Sequence, residues 1–179
     1  MTHSRLFQHE PRWLSANHVL RKTLQHDLQS WLSEPESLTQ RLRNQFENIS
    51  VQVLFEKQQT PFLTERRILN VPEQRVCLVR EVVLLSNQTP LILARTVIPA
   101  KTLKITQGNL ARLGTRPLGE ILFSAPSLKR KPLGITRIEP NLWANDLQII
   151  VPLWGRRTQY SICEQPMLVS EFFLPSLFL

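Results

Sequence analysis

Two arginines and two glutamates stand where strand residues should be apolar. In "CLVREVVLLS", residues 77–86, Leu78, Val82 and Leu84 lie on one side of the alternation, and Cys77, Val79, Val83 and Leu85 on the other. Arg80 and Glu81 interrupt the run, one toward each face. "LILARTVIPA" repeats the interruption at Arg95, and in "MLVSEFFLP" Glu171 is the polar member of a face shared with Met167, Val169 and Phe173. An unpaired buried charge costs several kcal/mol, so each of these groups must meet an opposite charge. A hairpin symmetric about the "SNQTP" loop sets Arg80 and Arg95 opposite each other, or nearly so, an arrangement that destabilises a sheet pair unless an anion lies nearby. A one-residue slip would instead send the two to opposite faces. One reading is an internal Arg–Glu ion pair that satisfies the fold. The other is an enclosed site in which two guanidiniums and a carboxylate hold a small acid, since the planar fork of arginine suits carboxylates.

Other chemical signals are weaker. In "TRPLGEIL" the free N–H groups of a helix start, near Leu118 and Gly119, would attract a carboxylate, although every helix has such an end. His3, His9, His18 and His26 all fall in the first 26 residues without a second ligand cluster, so no metal site is expected. With only five glycines, the chain has no glycine-rich phosphate loop. "ERR", "KRK" and "GRR" lack interleaved aromatics and read as solvated loops rather than nucleic-acid contacts. Arg156 and Arg157 are expected in a surface turn packed by Trp154, where they could raise the potential for an anionic substrate. Cys77 and Cys163 read as buried free thiols.

These groups need a scaffold. The 179 residues suffice for one domain, and Lys+Arg 22 against Asp+Glu 14, a net charge of +8, favours an anionic partner. The N-terminus lacks the apolar run of a signal peptide, and the longest apolar runs are too short for a bilayer, so a soluble cytoplasmic protein without stable membrane insertion is expected. Residues 1–17 show no period and are expected to be loosely held, with the folded domain over 18–179. Helical spacing of Leu20, Leu24, Leu28, Trp31 and Leu32 predicts a helix over 18–32. Ser37 and Gln40 form a capping-box pattern at the start of a second. A strand follows over 49–56, then a polar connection, "KQQTPFLTERRILNVPEQ", with room for a short strand or turn. Hairpin strands follow at 75–85 and 91–98, a short helix over 108–113 ended by Gly114, and a helix capped at Thr115 or Arg116 with Pro117 first. Strands over 133–139, 147–153, 157–163 and 167–174 complete an α+β fold with a largely antiparallel sheet.

The motifs "LVRE", "ARTVIP", "LGTRPLGEILF", "LWGRR" and "SEFFLP" occur in the order found in chorismate lyases, and over about 76–175 the chain resembles that family. The resemblance implies a single α+β domain with helical flaps over an enclosed ligand cavity. It implies conversion of chorismate to 4-hydroxybenzoate and pyruvate, the opening step of ubiquinone biosynthesis, by a monomer without metal or cofactor. Carried over by motif, Arg80, Leu118 and Glu171 bind the ligand, Arg95 is a further active-site arginine, and Leu38 is an apolar pocket residue. On this reading Arg80 and the Leu118 N–H take the ring carboxylate, Arg95 the enolpyruvyl carboxylate and Glu171 the ring 4-hydroxyl. Glu171 and Arg95 are then the catalytic candidates. The rival is a non-catalytic effector-binding domain like those of some bacterial transcription regulators, although the first 50 residues are too poorly patterned for a complete helix-turn-helix. A nucleic-acid partner would rest on net charge alone.

Overall fold

The strand alternation closes into one sheet. The structure, a computed structural model, describes residues 4–15, 24–106 and 108–179. In chain order the elements are α1 (His26–Ser33), α2 (Leu38–Gln45), β1 (Ile49–Gln59), α3 (Leu63–Leu69), β2 (Cys77–Ser86) and β3 (Thr89–Pro99), followed by α4 (Ala100–Ile105), α5 (Leu118–Phe123), β4 (Lys129–Ile138), β5 (Leu153–Ile162) and β6 (Gln165–Phe173). The strands form a fully antiparallel sheet in the order β1-β2-β3-β6-β5-β4. Each half of the chain folds into three consecutive strands, and the halves join along β3 and β6. Among the described residues no helix is long and apolar enough to cross a membrane.

Both faces of the sheet are covered, which is why its central strands are apolar on both sides. On the front, Val82, Leu84, Ile92, Ala94 and Phe173 pack under Trp31 of α1 and Leu38 and Leu42 of α2. Beside them Leu78, Ile98, Val169 and Tyr160 pack under Leu110 and Leu122. On the rear, Val83, Leu93 and Phe172 meet Leu6, Phe7 and Trp143, while Cys77, Val79, Val97 and Leu168 meet Leu69 of α3.

Local chemistry sets the element ends. Ser37 caps α2, its Oγ accepting from the Gln40 N–H at 3.3 Å. Pro117, expected as the first helical residue after a cap at Thr115 or Arg116, is itself the N-cap of α5. Asn87 and Gln88 both adopt positive φ, the two-residue hairpin turn whose twist matches the flanking strands.

Two bulges then decide which way the charges point. A hairpin symmetric about Asn87 and Gln88 would pair residue 80 with 95. Leu84 instead pairs with Ile92 while Leu85 pairs with Pro90, so Leu91 is an extra residue and Arg80 falls opposite Thr96. On the other side Val53 pairs with Val82 but Phe55 with Glu81, which makes Leu54 extra and brings Glu56 opposite Arg80. A bulge shifts the register by one residue, and every side chain beyond it changes face relative to the unbulged ladder.

Several expectations are corrected. The helix predicted over 18–32 is seen as α1 from His26, and its 18–23 portion lies outside the described residues. Residues 4–14, expected to be loose, are docked: Leu6 and Phe7 are buried, and Phe7 and Leu14 bridge to Trp143 and Ile135. The 57–74 connection holds helix α3 rather than a strand or turn. No strand forms over 147–152. "WGRR" is the start of β5, not a turn. Gly155 fits there because a Cβ would come within 2.3 Å of the Phe172 ring.

Candidate active site

Arg80 is carried to the front face by β2, and only 2% of the residue is exposed. Its Nη1 donates to Glu56 Oε2 at 2.6 Å, and Nη2 reaches the Arg116 carbonyl at 3.4 Å, just before α5. The protein therefore supplies a carboxylate for Arg80 itself. Glu56 keeps 28% of its side chain exposed at the sheet edge and can turn to solvent if another anion takes the fork.

Glu171 reaches the same face from β6. The strand order places it two strands from β2 and one residue pair further along, about 12 Å between backbone positions. Between them lie the small side chains of Ala94 and Thr96 on β3. Glu171 Oε2 accepts from Arg156 Nε at 2.6 Å, and the Glu171 side chain makes no other hydrogen bond among the described residues. Arg156 is its cross-strand neighbour on β5.

Leu38 at the start of α2 and Leu118 at the start of α5 cover this floor. A cavity of about 60 Å³ lies between, lined by Leu38, Arg80, Ala94, Thr96, Leu118, Tyr160 and Glu171 among others. The two helices meet closely: a Cβ on Gly119 would stand 3.0 Å from both Ser37 Oγ and Thr39 Oγ1, and Arg43 pairs with Glu120. Burial, reinforced by Glu171, pushes the Tyr160 phenol above its ordinary pKa against the pull of Arg156 and Arg130. Tyr160 is therefore a neutral O–H at physiological pH. Cavities of about 150 Å³ accept benzene in protein cores, so a ring-sized ligand would fit here only if α2 and α5 gave way.

Arg95 is the correction. The extra residue at Leu91 turns it to the rear face, opposite Glu81. Its Nε and Nη2 fork onto Glu65 at 2.7 and 2.9 Å, and its Nη1 donates to Glu81 at 2.6 Å. Its guanidinium stacks 4.4 Å from the Phe62 ring. Burial works against its charge, but Glu65 and then Glu81 outweigh it and hold its pKa above the ordinary arginine value. Glu81 in turn accepts from Ser4 Oγ and the Arg5 N–H, both at 2.6 Å, which docks the N-terminal segment. Arg157, also on the rear, donates to Thr64 Oγ1 at 2.9 Å and sits 4.5 Å from the Trp13 ring. Burial lowers its pKa to about 10, against Glu65 and Glu10.

The structure thus brings Arg80, Glu171, Leu118 and Leu38 together and leaves Arg95 out. The internal ion pairs expected as one reading do exist, with different partners: Arg80–Glu56, Arg95–Glu65–Glu81 and Arg156–Glu171. Sequence reasoning missed Glu56, Tyr160 and the burial of Arg156. Trp154, Arg156, Thr158 and Tyr160 keep period two, a signal for Arg156 that the glycine obscured. Glu56 left none, because the bulge breaks its period with Val51 and Val53.

Comparison with known proteins adds the ancestry. The chain is 41% identical over 154 residues to a probable chorismate pyruvate-lyase of Methylococcus capsulatus, covering 83% of this chain and 95% of that protein. It is 34% identical over 172 residues to a probable chorismate pyruvate-lyase of Hydrogenovibrio crunogenus, covering 94% and 93%. Among solved structures, the effector domain of PhnF from Mycobacterium smegmatis matches with a TM-score of 0.60 at 13% identity over 79% of this chain and 90% of that one. The C-terminal domain of the histidine utilization repressor from Pseudomonas syringae matches at 0.56 and 16%, over 72% and 93%. These two show a shared fold. The chorismate lyase model matches residues 8–179, and with relatives this similar the chain belongs to the chorismate lyase family.

Proposed function

We propose that the front cavity binds chorismate and eliminates pyruvate from it, leaving 4-hydroxybenzoate, the aromatic acid that opens ubiquinone biosynthesis. The observation that carries this reading is the gathering of Arg80, Leu118, Leu38 and Glu171 around one cavity on the front of the sheet. The ring carboxylate takes the Arg80 fork beside the start of α5 and displaces Glu56 toward solvent. The 4-hydroxyl, at the other end of the ring, donates to Glu171. The Arg80–Glu171 spacing suits a single para-substituted ring lying over Ala94 and Thr96.

The reaction asks the protein chiefly for position. The C4 hydrogen passes to the enol methylene, which becomes the pyruvate methyl group, while the C3–oxygen bond breaks and its electrons form the pyruvate carbonyl. The ring becomes aromatic. Six atoms close the transfer, so a fixed enolpyruvyl rotamer and preorganised charges around a water-poor cavity supply rate. No metal or added cofactor enters this scheme. The protein acts as a cytoplasmic monomer.

The test is incubation of purified protein with chorismate, with both products followed by chromatography. Equimolar 4-hydroxybenzoate and pyruvate above the spontaneous rate support the lyase. Tight 4-hydroxybenzoate binding without turnover would replace it with an effector-binding domain. Absence of both would leave the front charges as internal ion pairs.

A further inference from the structure

Chorismate carries two carboxylates, and the reading above gives a cation to only one. Arg95 cannot serve the other, since it lies behind the sheet with its fork on Glu65. Arg157 is on the same rear face. Arg130 gives its Nη2 to the Glu34 carbonyl at 2.9 Å and makes no hydrogen bond to Glu171.

Arg156 differs. Its side chain is 3% exposed, and its guanidinium is held on two sides. Nε donates to Glu171 Oε2 at 2.6 Å, while Nη1 donates to the Trp31 and Glu34 carbonyls at the end of α1, at 3.2 and 2.7 Å. Nη2 is buried with no hydrogen-bond partner among the described residues. In a guanidinium, Nε and Nη2 share the edge that forks onto carboxylates, so the free donor lies on the side of Glu171. A buried donor left unpaired is costly, and a ligand oxygen would satisfy it.

The substrate's own geometry points to the same place. The enolpyruvyl ether at C3 and the hydroxyl at C4 are on adjacent ring carbons, so the groups that hold them must be neighbours. Glu171 and Arg156 are in direct contact.

We propose that Arg156 is the second cation of the site. Its Nη2 receives the enolpyruvyl carboxylate, while Nε fixes the Glu171 carboxylate toward the ring hydroxyl. Nη1 makes this placement depend on a seated α1. The assignment rests on the chorismate reading and adds the recognition of the departing half of the substrate.

The test separates the two carboxylates. Arg156→Lys keeps a charge beside Glu171 but loses the fork. Its chorismate KM should rise by about 10- to 100-fold, while its Kd for 4-hydroxybenzoate, which lacks the second carboxylate, shifts by less than about 3-fold. Equal weakening of both, or an unchanged chorismate KM, would overturn the assignment. If the variant does not fold, the wild-type protein still decides. A 3-carboxymethoxy-4-hydroxybenzoate should bind at least about 10-fold tighter than its 3-ethoxy counterpart, and equal or weaker binding sinks the proposal. A wild-type protein that releases no 4-hydroxybenzoate from chorismate removes the lyase reading itself, and this assignment with it.

Discussion

Arg80 and Glu171 differ in how much the fold depends on them. Glu56 is part-exposed, so Arg80→Met leaves behind a carboxylate that water can reach. This variant should stay within about 1 kcal/mol of the wild type in denaturant unfolding, yet lose 4-hydroxybenzoate binding by at least about 100-fold in calorimetric titration. Glu171→Gln keeps the shape beside Arg156 and removes the charge. Its turnover should fall by about 10- to 1000-fold with an unchanged circular dichroism spectrum, and full activity would take Glu171 out of the mechanism. The cysteines make a third contrast. Burial, and to a lesser degree Glu65, pushes the Cys77 thiol up to about 11, whereas Cys163 is exposed. A raised thiol pKa means the protonated, unreactive form persists: at pH 8 about one Cys77 in a thousand is a thiolate. A thiol reagent should therefore titrate one group per native chain and two per denatured chain. The buried state of Cys163 that its apolar surroundings suggested is not found, because Cys163 and Glu164 form the positive-φ turn between β5 and β6.

At the level of elements, the bulges separate what the sequence disclosed from what it hid. Period-two alternation marked β2, β3 and β6 and identified Arg80, Arg95 and Glu171 as anomalies inside them. It could not say which anomalies share a face, because a face depends on register and register depended on Leu54 and Leu91. Both are ordinary apolar residues in apolar strands, with no glycine or proline to mark them. The same limitation hid α3, whose "LTERRIL" lacks a polar-side-chain cap and is closed instead by Glu65 reaching back to the Phe62 N–H at 2.9 Å. What α3 does became clear only once Glu65 met Arg95. That rear cluster is an internal ion-pair network, and its members are almost fully buried. Glu81→Ala, which strands half of Arg95 and frees the Ser4 region, should cost about 3–5 kcal/mol in unfolding experiments. A loss below about 1 kcal/mol would show that the cluster does not hold the N-terminal segment to the sheet.

Over the whole molecule, α1, α2 and α5 form a cover over one face of the sheet. The cavity, about 60 Å³, is smaller than the roughly 150 Å³ that admits benzene, so the proposed ligand would enter and leave only if that cover moved. In hydrogen exchange, 4-hydroxybenzoate should slow the amides of α2 and α5 and leave β2, β3 and β6 unchanged; uniform slowing would argue against a moving cover. A product enclosed this way should also leave slowly. The strand order has one more consequence. Arg80 belongs to the first three-strand half and Glu171 to the second, and the halves are joined by the six residue pairs from Ile92–Phe173 to Val97–Leu168. Neither half holds the whole of the proposed site. If the chain were divided in the connection between α4 and α5, each fragment would be inert, and activity would report directly on their reassembly along that seam.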